Sequence, residues 1–375
     1  MQLPGITQER GGPRTLRPQD GRRSNLSLVL QSLYNDPNLT RADLARQTGL
    51  TKVTISDLVA SLIEDGLVTE TGMTVDVRPG KPAATLAVRE DNCDIIALDL
   101  SAPETLRGGV FSLRGVKRAE TSLNLEGRVS DAAVDAVLDI VDQTIKQATR
   151  PILGIGVGSP GIVDTDGRVI VAPNLEWRNV DLQSTIERRF GVHTVVQNDA
   201  NVAVVAEKSF ADSSSDLVRV QISRGVGAGV LLSGSLIIGP SAGAGEIGHV
   251  VIEHKGLTCS CGKQGCLETW ISVPRLRQRL AENPSKTEEI LSEAGRRLGM
   301  ALAPIVSALD LQEIIIGGPE DLIDGRFLEA CESLTIERTH SEFRRDLSVK
   351  LSSLGNEAVL LGAVSLVLRT TLGVS

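Results

Sequence analysis

A chain of 375 residues that is 41% hydrophobic and 23% charged is longer than a typical single domain and has the composition of a globular protein. No apolar run approaches the roughly 18 residues needed to span a bilayer, and the polar, Gly/Pro-rich start carries no basic-then-apolar leader pattern. A cytoplasmic protein with no membrane partner is therefore expected. The net charge of −8 is unevenly divided: residues 1–89 hold 11 Lys+Arg against 9 Asp+Glu, and the remainder holds 28 against 38. Broad nucleic-acid binding by the acidic remainder is excluded, and any DNA contact belongs to the N-terminal segment.

Residues 1–22 read as a disordered arm, with Arg10, Arg14, Arg17, Arg22 and then Arg23 but no periodic apolar pattern. Such an arm is either a solvated tail or a phosphate-touching extension. Residues 23–89 read as a compact unit. Leu26, Val29, Leu30 and Leu33 recur at helical spacing after a Ser/Asn cap. Thr40 caps a second helix, Gly49-Leu50 makes a turn, and Thr51 caps a third helix running to Asp65. Leu44, Ala45, Leu50, Ile55, Leu58, Val59 and Leu62 are expected to face one small core. Helix, glycine turn, helix is the helix-turn-helix arrangement. It places Thr51, Lys52, Thr54, Ser56 and Asp57 early on the helix that would enter the major groove. The stretch from Gly66 becomes extended, and Arg78-Pro-Gly-Lys81 reads as the tip of a wing with a cation on each side.

Residues 90–375 alternate strands, helices and Gly-rich turns, the pattern of an α/β fold with sites at strand ends. Strands are expected at Asp94–Leu100, from Gly109, at Ile152–Gly158, Thr194–Asn198, Val218–Ser223 and from Glu313. Helices are expected over 128–149 (with Ala132, Val134, Val137, Ile140, Val141 and Ile145 inward), 291–309 and 356–370. The turn at Ser159-Pro160-Gly161 permits close backbone approach to a ligand. The densest chemistry runs from Glu246 to Glu268. Cys259, Cys261 and Cys266 form a C-x-C-x4-C cluster, which in a reducing compartment reads as metal ligands rather than disulfides. Zinc takes four tetrahedral N/S ligands, and His249 and His254 compete for the fourth place. Cys93 and Cys331 have no close partner.

These motifs carry a resemblance. The N-terminal unit resembles the winged helix-turn-helix of ROK-family repressors. The body resembles the ROK family over essentially all of residues 91–375, through Gly158-Ser-Pro-Gly161, Ala172-Pro-Asn174-Leu-Glu-Trp177, Asn198-Asp199-Ala-Asn201, Gly245-Glu246-Ile-Gly-His249 and Cys259-Ser-Cys261-Gly-Lys-Gln-Gly-Cys266-Leu-Glu268. The resemblance implies an actin-like (ribonuclease H-like) two-lobed sugar-kinase fold behind the reader, with sugar in the interlobe cleft and a homodimer or homotetramer as the assembly. It implies His249 as the fourth ligand of a structural Zn2+. It implies a sugar pocket made by Gly161, Asn174, Asn198, Asp199, Glu246, His249 and Glu268, in which one nitrogen of His249 faces zinc and the other faces sugar.

Kinase activity would need Asp199 as general base and loops that cradle ATP phosphates. Asp199 is present. The family's first loop, Asp-x-Gly-(small)-Thr, here reads Asp99-Leu-Ser101-Ala-Pro103, and Pro103 has no N–H to offer a phosphate. The second loop, usually beginning Gly-Thr-Gly, here reads Ser223-Arg224-Gly225. Arg224 is either an anion contact or an ordinary surface residue. The expectation is a sugar-responsive repressor that binds operator DNA, with no ATP bound and no catalytic residue in use. The alternatives are a DNA-binding kinase that still phosphorylates a hexose, and a constitutive DNA binder with a vestigial body.

Overall fold

The computed structural model describes residues 18–73, 83–339 and 347–374. Three helices open the described chain: α1 (Pro18–Asn35), α2 (Arg41–Thr48) and α3 (Lys52–Glu64), with strand β1 (Leu39–Thr40) between the first two. α1 starts earlier than the sequence pattern suggests, so residues 18–22, expected at the end of a disordered arm, are helical. Proline suits that first position, where its missing N–H would have had no helical acceptor. Thr40 and Asp43 exchange hydrogen bonds in a capping box at the start of α2, and Gly49 ends it in the left-handed conformation at φ 72°. Thr51 caps α3 by accepting the Thr54 N–H at 3.2 Å. Leu44, Ile55, Leu58, Val59 and Leu62 are buried with Val29, Leu30 and Leu33 of α1, as the apolar spacing predicts. Strands β2 (Val68–Met73) and β3 (Ala84–Val88) pair antiparallel behind the helices. The tip between them, with Arg78 and Lys81, lies outside the described residues.

The body has two lobes. The first holds β4 (Asp94–Asp99), β5 (Thr105–Phe111), β6 (Lys117–Asn124), α4 (Ser130–Ile145), β7 (Ile152–Ser159), the short strands β8 (Ile162–Val163), β9 (Val169–Ala172) and β10 (Trp177–Val180), then α5 (Leu182–Phe190), β11 (Thr194–Asn198) and α6 (Asp199–Phe210). The second holds β12 (Leu217–Ile222), β13 (Val226–Leu232), β14 (Ser235–Leu236), α7 (Glu268–Ile271), α8 (Val273–Glu282), α9 (Thr287–Leu309), β15 (Glu313–Gly317), α10 (Glu320–Ile323), α11 (Arg326–Thr339) and β16 (Ser348–Leu351), after which α12 (Ala358–Thr371) returns to pack on the first. The two main sheets run β6-β5-β4-β7-β11 and β14-β13-β12-β15-β16. In each, the first three strands are antiparallel to their neighbours and the last two extend the sheet in parallel. The body is therefore one sheet topology used twice. On α4 the buried residues include Ala133, Ala136, Val137, Ile140 and Val141. Ala132, expected inward, is exposed, because the three- and four-residue steps back from Val137 and Ala136 reach Ala133. Among the described residues no helix is long and apolar enough to cross a membrane.

α12 lies on the sheet of the first lobe and against α6, which in turn packs on β13 of the second. Strand β7 presents Gly154, Gly156 and Gly158 on one face, and α12 lies directly on them. A methyl group on Gly158, Gly156 or Gly154 would meet Val359 at 2.3 Å, the Ala363 carbonyl at 2.2 Å or Val367 at 2.8 Å, respectively. Two strand residues advance about 6.6 Å and four helix residues about 6.0 Å, so glycines at every second position match helix residues at every fourth. On its other side Gly362 sits against the Val202 carbonyl of α6, where a methyl group would come within 1.9 Å. Gly156→Ala is expected to lower unfolding free energy by about 1–3 kcal/mol in urea denaturation, because backbone cannot yield as a side chain can. Gly243→Ala, which meets nothing closer than 4.0 Å, is expected to stay within about 0.5 kcal/mol of the parent.

Candidate functional site

One wall of the cleft grows from the ends of β7 and β11. Gly161, at φ 86°, turns the chain back so closely on β9 that a methyl group there would lie 2.1 Å from the Val171 carbonyl. Asn174 follows on the single turn Pro173–Leu175 and is exposed. Asn198 caps α6 by accepting the Asn201 N–H at 3.1 Å. Its amide donates to the Gly161 carbonyl at 2.8 Å and to Asp199 Oδ1 at 3.0 Å. Gly161, Asn198 and Asp199 are thus one hydrogen-bonded unit. Oδ1 of Asp199 also accepts the Ala200 N–H at 2.9 Å. Burial, reinforced by the neighbouring Asp99 and Glu246 carboxylates, pushes the Asp199 carboxyl up to about 7.

The facing wall is built on β13. Gly245 and Gly248 press against β13 so tightly that methyl groups there would come within 1.8 Å of the Ala228 carbonyl and 2.1 Å of the Val226 carbonyl. Glu268, the first residue of α7, accepts the Val226 N–H at 3.0 Å. Burial, with Glu268 adding to it, raises the Glu246 carboxyl above its usual range, against the pull of His249. The two walls meet where α6 packs on β13: Gly229 lies under the Ala200 carbonyl, 2.5 Å from where its Cβ would be. The pocket residues Asp199, Glu246 and Glu268 are therefore fixed through contacts that only glycine permits.

His249 joins this pocket to the cysteine cluster. Its Nε2 is 3.8 Å from Glu246, and its Nδ1 is 3.5 Å from the Cys259 sulfur. The ligand atoms of His249, Cys259, Cys261 and Cys266 all lie within 4.8 Å of one another, with Cys261 and Cys266 sulfurs 3.6 Å apart. Tetrahedral zinc with bonds of about 2.3 Å to sulfur and 2.0 Å to nitrogen has ligand edges of roughly 3.8 and 3.5 Å, so the donor set fits that ion. Burial and the adjoining thiols push the Cys266 thiol up to about 12, and a divalent cation would reverse that by holding thiolates. His254 is exposed and stands outside the cluster. The bridge between Val251 and Cys266 folds the loop at its base, which brings His249 back to the sulfurs and leaves the turn after Glu253 facing solvent.

In each of the two loops that depart from kinases, a serine N–H is held within the loop. Ser101 donates its N–H and its hydroxyl to Asp99 Oδ1 at 2.9 and 2.6 Å. Ser223 donates its N–H to the Gly225 carbonyl at 2.9 Å and its carbonyl accepts the Val273 N–H at 2.8 Å, while Arg224 is exposed. Sequence reasoning missed Arg219 on β12. It is 1% exposed and pairs with the equally buried Glu207 of α6 at 2.9 Å, and Gln221 accepts from it at 2.8 Å. A lone cation inside the apolar run Val218–Ile222 was the available signal.

On the reader, Lys52, Ser56 and Asp57 are exposed along the outer face of α3. Thr51 and Thr54 hydroxyls lie 2.9 Å apart at the cap, so both are partly committed to holding the helix start. Val53, not singled out from sequence, is 71% exposed among them, an apolar group placed where a thymine methyl could be met. A groove of about 340 Å³ beside α3 is lined by Arg41, Lys52, Ser56 and Ala84.

Comparison with known proteins agrees with this geometry. The ROK family model matches residues 104–370 and a MarR family model matches residues 27–73. The chain belongs to the ROK family. It is 28% identical over 385 residues to the xylose repressor of Caldicellulosiruptor bescii, covering 93% of this chain and 96% of that one. The crystal structure of a ROK family transcriptional regulator, a homolog of the Escherichia coli MLC protein, superposes with a TM-score of 0.84 at 22% identity, covering 94% of this chain and 97% of that one. A ROK family glucokinase from Streptomyces griseus in complex with glucose and AMPPNP gives 0.64 at 25% identity, covering 73% and 98%. This ROK chain thus matches the regulator over nearly its full length and the kinase over its body.

The raised Asp199 carboxyl gives this ROK chain a defined pH response. Between its ordinary value of 3.8 and about 7, the folded chain keeps a proton that the unfolded chain has released. Stability from this group therefore falls as pH rises through that window. Relative to Asp199→Asn, the parent chain is expected to lose more than about 1 kcal/mol between about pH 5 and pH 8, read from urea melts of both proteins.

Proposed function

We propose that this chain is a DNA-binding transcriptional repressor whose body binds an uncharged sugar and transfers no phosphate. One observation carries the reading. Asn198, Asp199, Glu246, Glu268 and His249 are brought together, while in each altered phosphate loop a serine N–H is held within the loop, in a chain that also carries a helix-turn-helix reader. The pocket brings Asp99, Asp199, Glu246 and Glu268 together with His249 as the nearest partner. Carboxylates accept from sugar hydroxyls and repel a sugar phosphate. D-xylose is the first candidate, from the name of the relative, and D-glucose is the second, from the sugar bound in the glucokinase structure.

In this reading Asn174, Asn198, Asp199, Glu246, His249 and Glu268 hold the sugar hydroxyls, and Gly161 lets the backbone approach. Zn2+ on His249, Cys259, Cys261 and Cys266 supplies no chemistry beyond fixing the loop that carries His249 and, at its end, Glu268. Lys52, Thr54, Ser56 and the wing residues Arg78 and Lys81 contact operator DNA, with Thr51 holding the start of that helix. A homodimer or homotetramer sets two readers at half-site spacing. Sugar binding alters that spacing only if the sugar prefers the lobe arrangement that fits DNA less well.

Lys52→Ala is expected to weaken binding to DNA from upstream of its own gene by roughly 5- to 100-fold in fluorescence anisotropy, with sugar affinity by calorimetry unchanged. Equal loss of both would mean that Lys52 serves the fold. A coupled ATP assay on a hexose panel should give no turnover; turnover abolished by Asp199→Asn would establish the bifunctional kinase instead. Elemental analysis is expected to find one zinc per chain, lost in Cys261→Ser. A metal-free parent chain with an unchanged melt would overturn the zinc assignment.

A further inference from the structure

The reader meets the body at a turn that neither the sugar pocket nor the DNA-reading face uses. Residues Ser112–Val116 join β5 to β6, and the Ser112 hydroxyl holds the turn by accepting the Arg114 and Val116 N–H groups at 3.2 Å each. Toward the reader, the Leu113 carbonyl accepts the Tyr34 hydroxyl at 2.8 Å. The Arg114 guanidinium stacks over the Tyr34 ring, 4.2 Å from its centre, and donates to the Tyr34 carbonyl. Arg114 also pairs at 3.0 Å with Glu90, which lies on the connection from β3 to β4. Tyr34 is the penultimate residue of α1. One small turn therefore grips the end of the reader's first helix by two hydrogen bonds and a stacked cation, and the ion pair ties the same arginine to the connection after β3.

Toward the pocket, the same turn rests on α6. Gly115, at φ 74°, lies so close to Phe210 that a methyl group would come within 2.6 Å of the ring, and within 3.2 Å of Leu361 on α12. Phe210 is the last residue of α6 and Asp199 is the first. The 12 residues between and including them form a rod of about 18 Å. Glu207, one turn from its far end, is locked to Arg219 of the second lobe. A helix cannot shorten, so a shift at Asp199 that the buried pair allows arrives at Phe210.

We propose that the Ser112–Val116 turn is the element that couples the pocket to the reader, with Phe210 as its input and the Arg114–Tyr34 pair as its output. The proposal rests on the sugar-responsive reading for its purpose but not for its test. Hydrogen-exchange mass spectrometry on the full chain follows residues 26–35. Asp199→Asn, which replaces the ionisable carboxyl that accepts the Asn198 amide and the Ala200 N–H at the N-terminal end of α6, is expected to change their exchange about fivefold. Asn198→Ala perturbs the same helix end and serves if the first variant folds poorly. In an Arg114→Ala background the change should vanish, and in Arg114→Lys, which keeps the charge but not the stacked plane, it should shrink. Tyr34→Phe should act in the same direction by removing the bond to Leu113.

The same change with and without the Arg114–Tyr34 pair overturns the proposal and moves the coupling to the second contact, where Gly373 packs on Ser27. No change at residues 26–35 in the otherwise intact chain also overturns it. D-xylose and D-glucose provide a separate arm. A sugar that protects the pocket but leaves residues 26–35 unaltered counts against the coupling. If neither sugar protects the pocket, the sugar reading fails, and the Asp199→Asn arm still decides the coupling.

Discussion

The close approach of α12 to β7 is the constraint on which the rest of the molecule depends. Three glycines on one strand face let Val359, the Ala363 backbone and Val367 of α12 lie directly on the strand, and that sets the depth at which α12 sits in the body. α6 is then placed by α12 through Gly362 and Val202, and β13 is placed by α6 through Gly229 and Ala200. Each step in this series is a contact that a single methyl group would disturb. Interiors packed this closely transmit displacement instead of absorbing it. The position of Asp199 opposite Glu246 is thus fixed by helices and strands rather than by loops, the arrangement that holds a polar site most accurately.

The chemistry of the pocket follows from that placement. Burial at the start of α6, reinforced by the nearby Asp99 and Glu246 carboxylates, makes Asp199 keep its proton to about neutral pH. Ser101 and Ser223, in the loops altered from the kinase pattern, turn their N–H groups to Asp99 and to the Gly225 carbonyl. In the proposed reading these surroundings suit neutral polyhydroxy ligands better than anions. The cysteine loop extends this logic. His249 spans from the sulfurs to Glu246, so whatever fixes the sulfurs also fixes one nitrogen in the pocket.

Much of this was legible in the chain itself, for physical reasons that differ by element. Thr40 and Thr51 announced two helix starts because capping is a local interaction between residues three apart. The C-x-C-x4-C spacing announced the cluster because few other uses put three thiols so near. What was not legible depends on contacts distant in sequence. Ala133 rather than Ala132 faces inward because Val137 and Ile140 dictate the stripe. β6 shows exposed and half-buried positions throughout its length, since an edge strand has no apolar face to reveal it. Spacing alone leaves His249 and His254 both open, and only the family resemblance favours His249; the Val251–Cys266 bridge that leaves His254 outside the cluster depends on the fold. Arg219 was passed over because its partner, Glu207, lies on the helix before it and their pairing needs the fold to bring the two together.

The cores of reader and body are not separate. Val29, Leu30, Leu33 and Leu62 of the reader belong to the same buried cluster as Leu366, Leu372 and Val374 at the end of the chain, and Gly373 packs on Ser27. Sequence order puts these groups at opposite ends; folding makes them neighbours. A chimera that exchanges the first 89 residues between two such proteins would therefore splice through a shared core, not through a linker. A workable graft carries both ends of the chain together, and a reader that drifts in sequence constrains which final helical turns can accompany it.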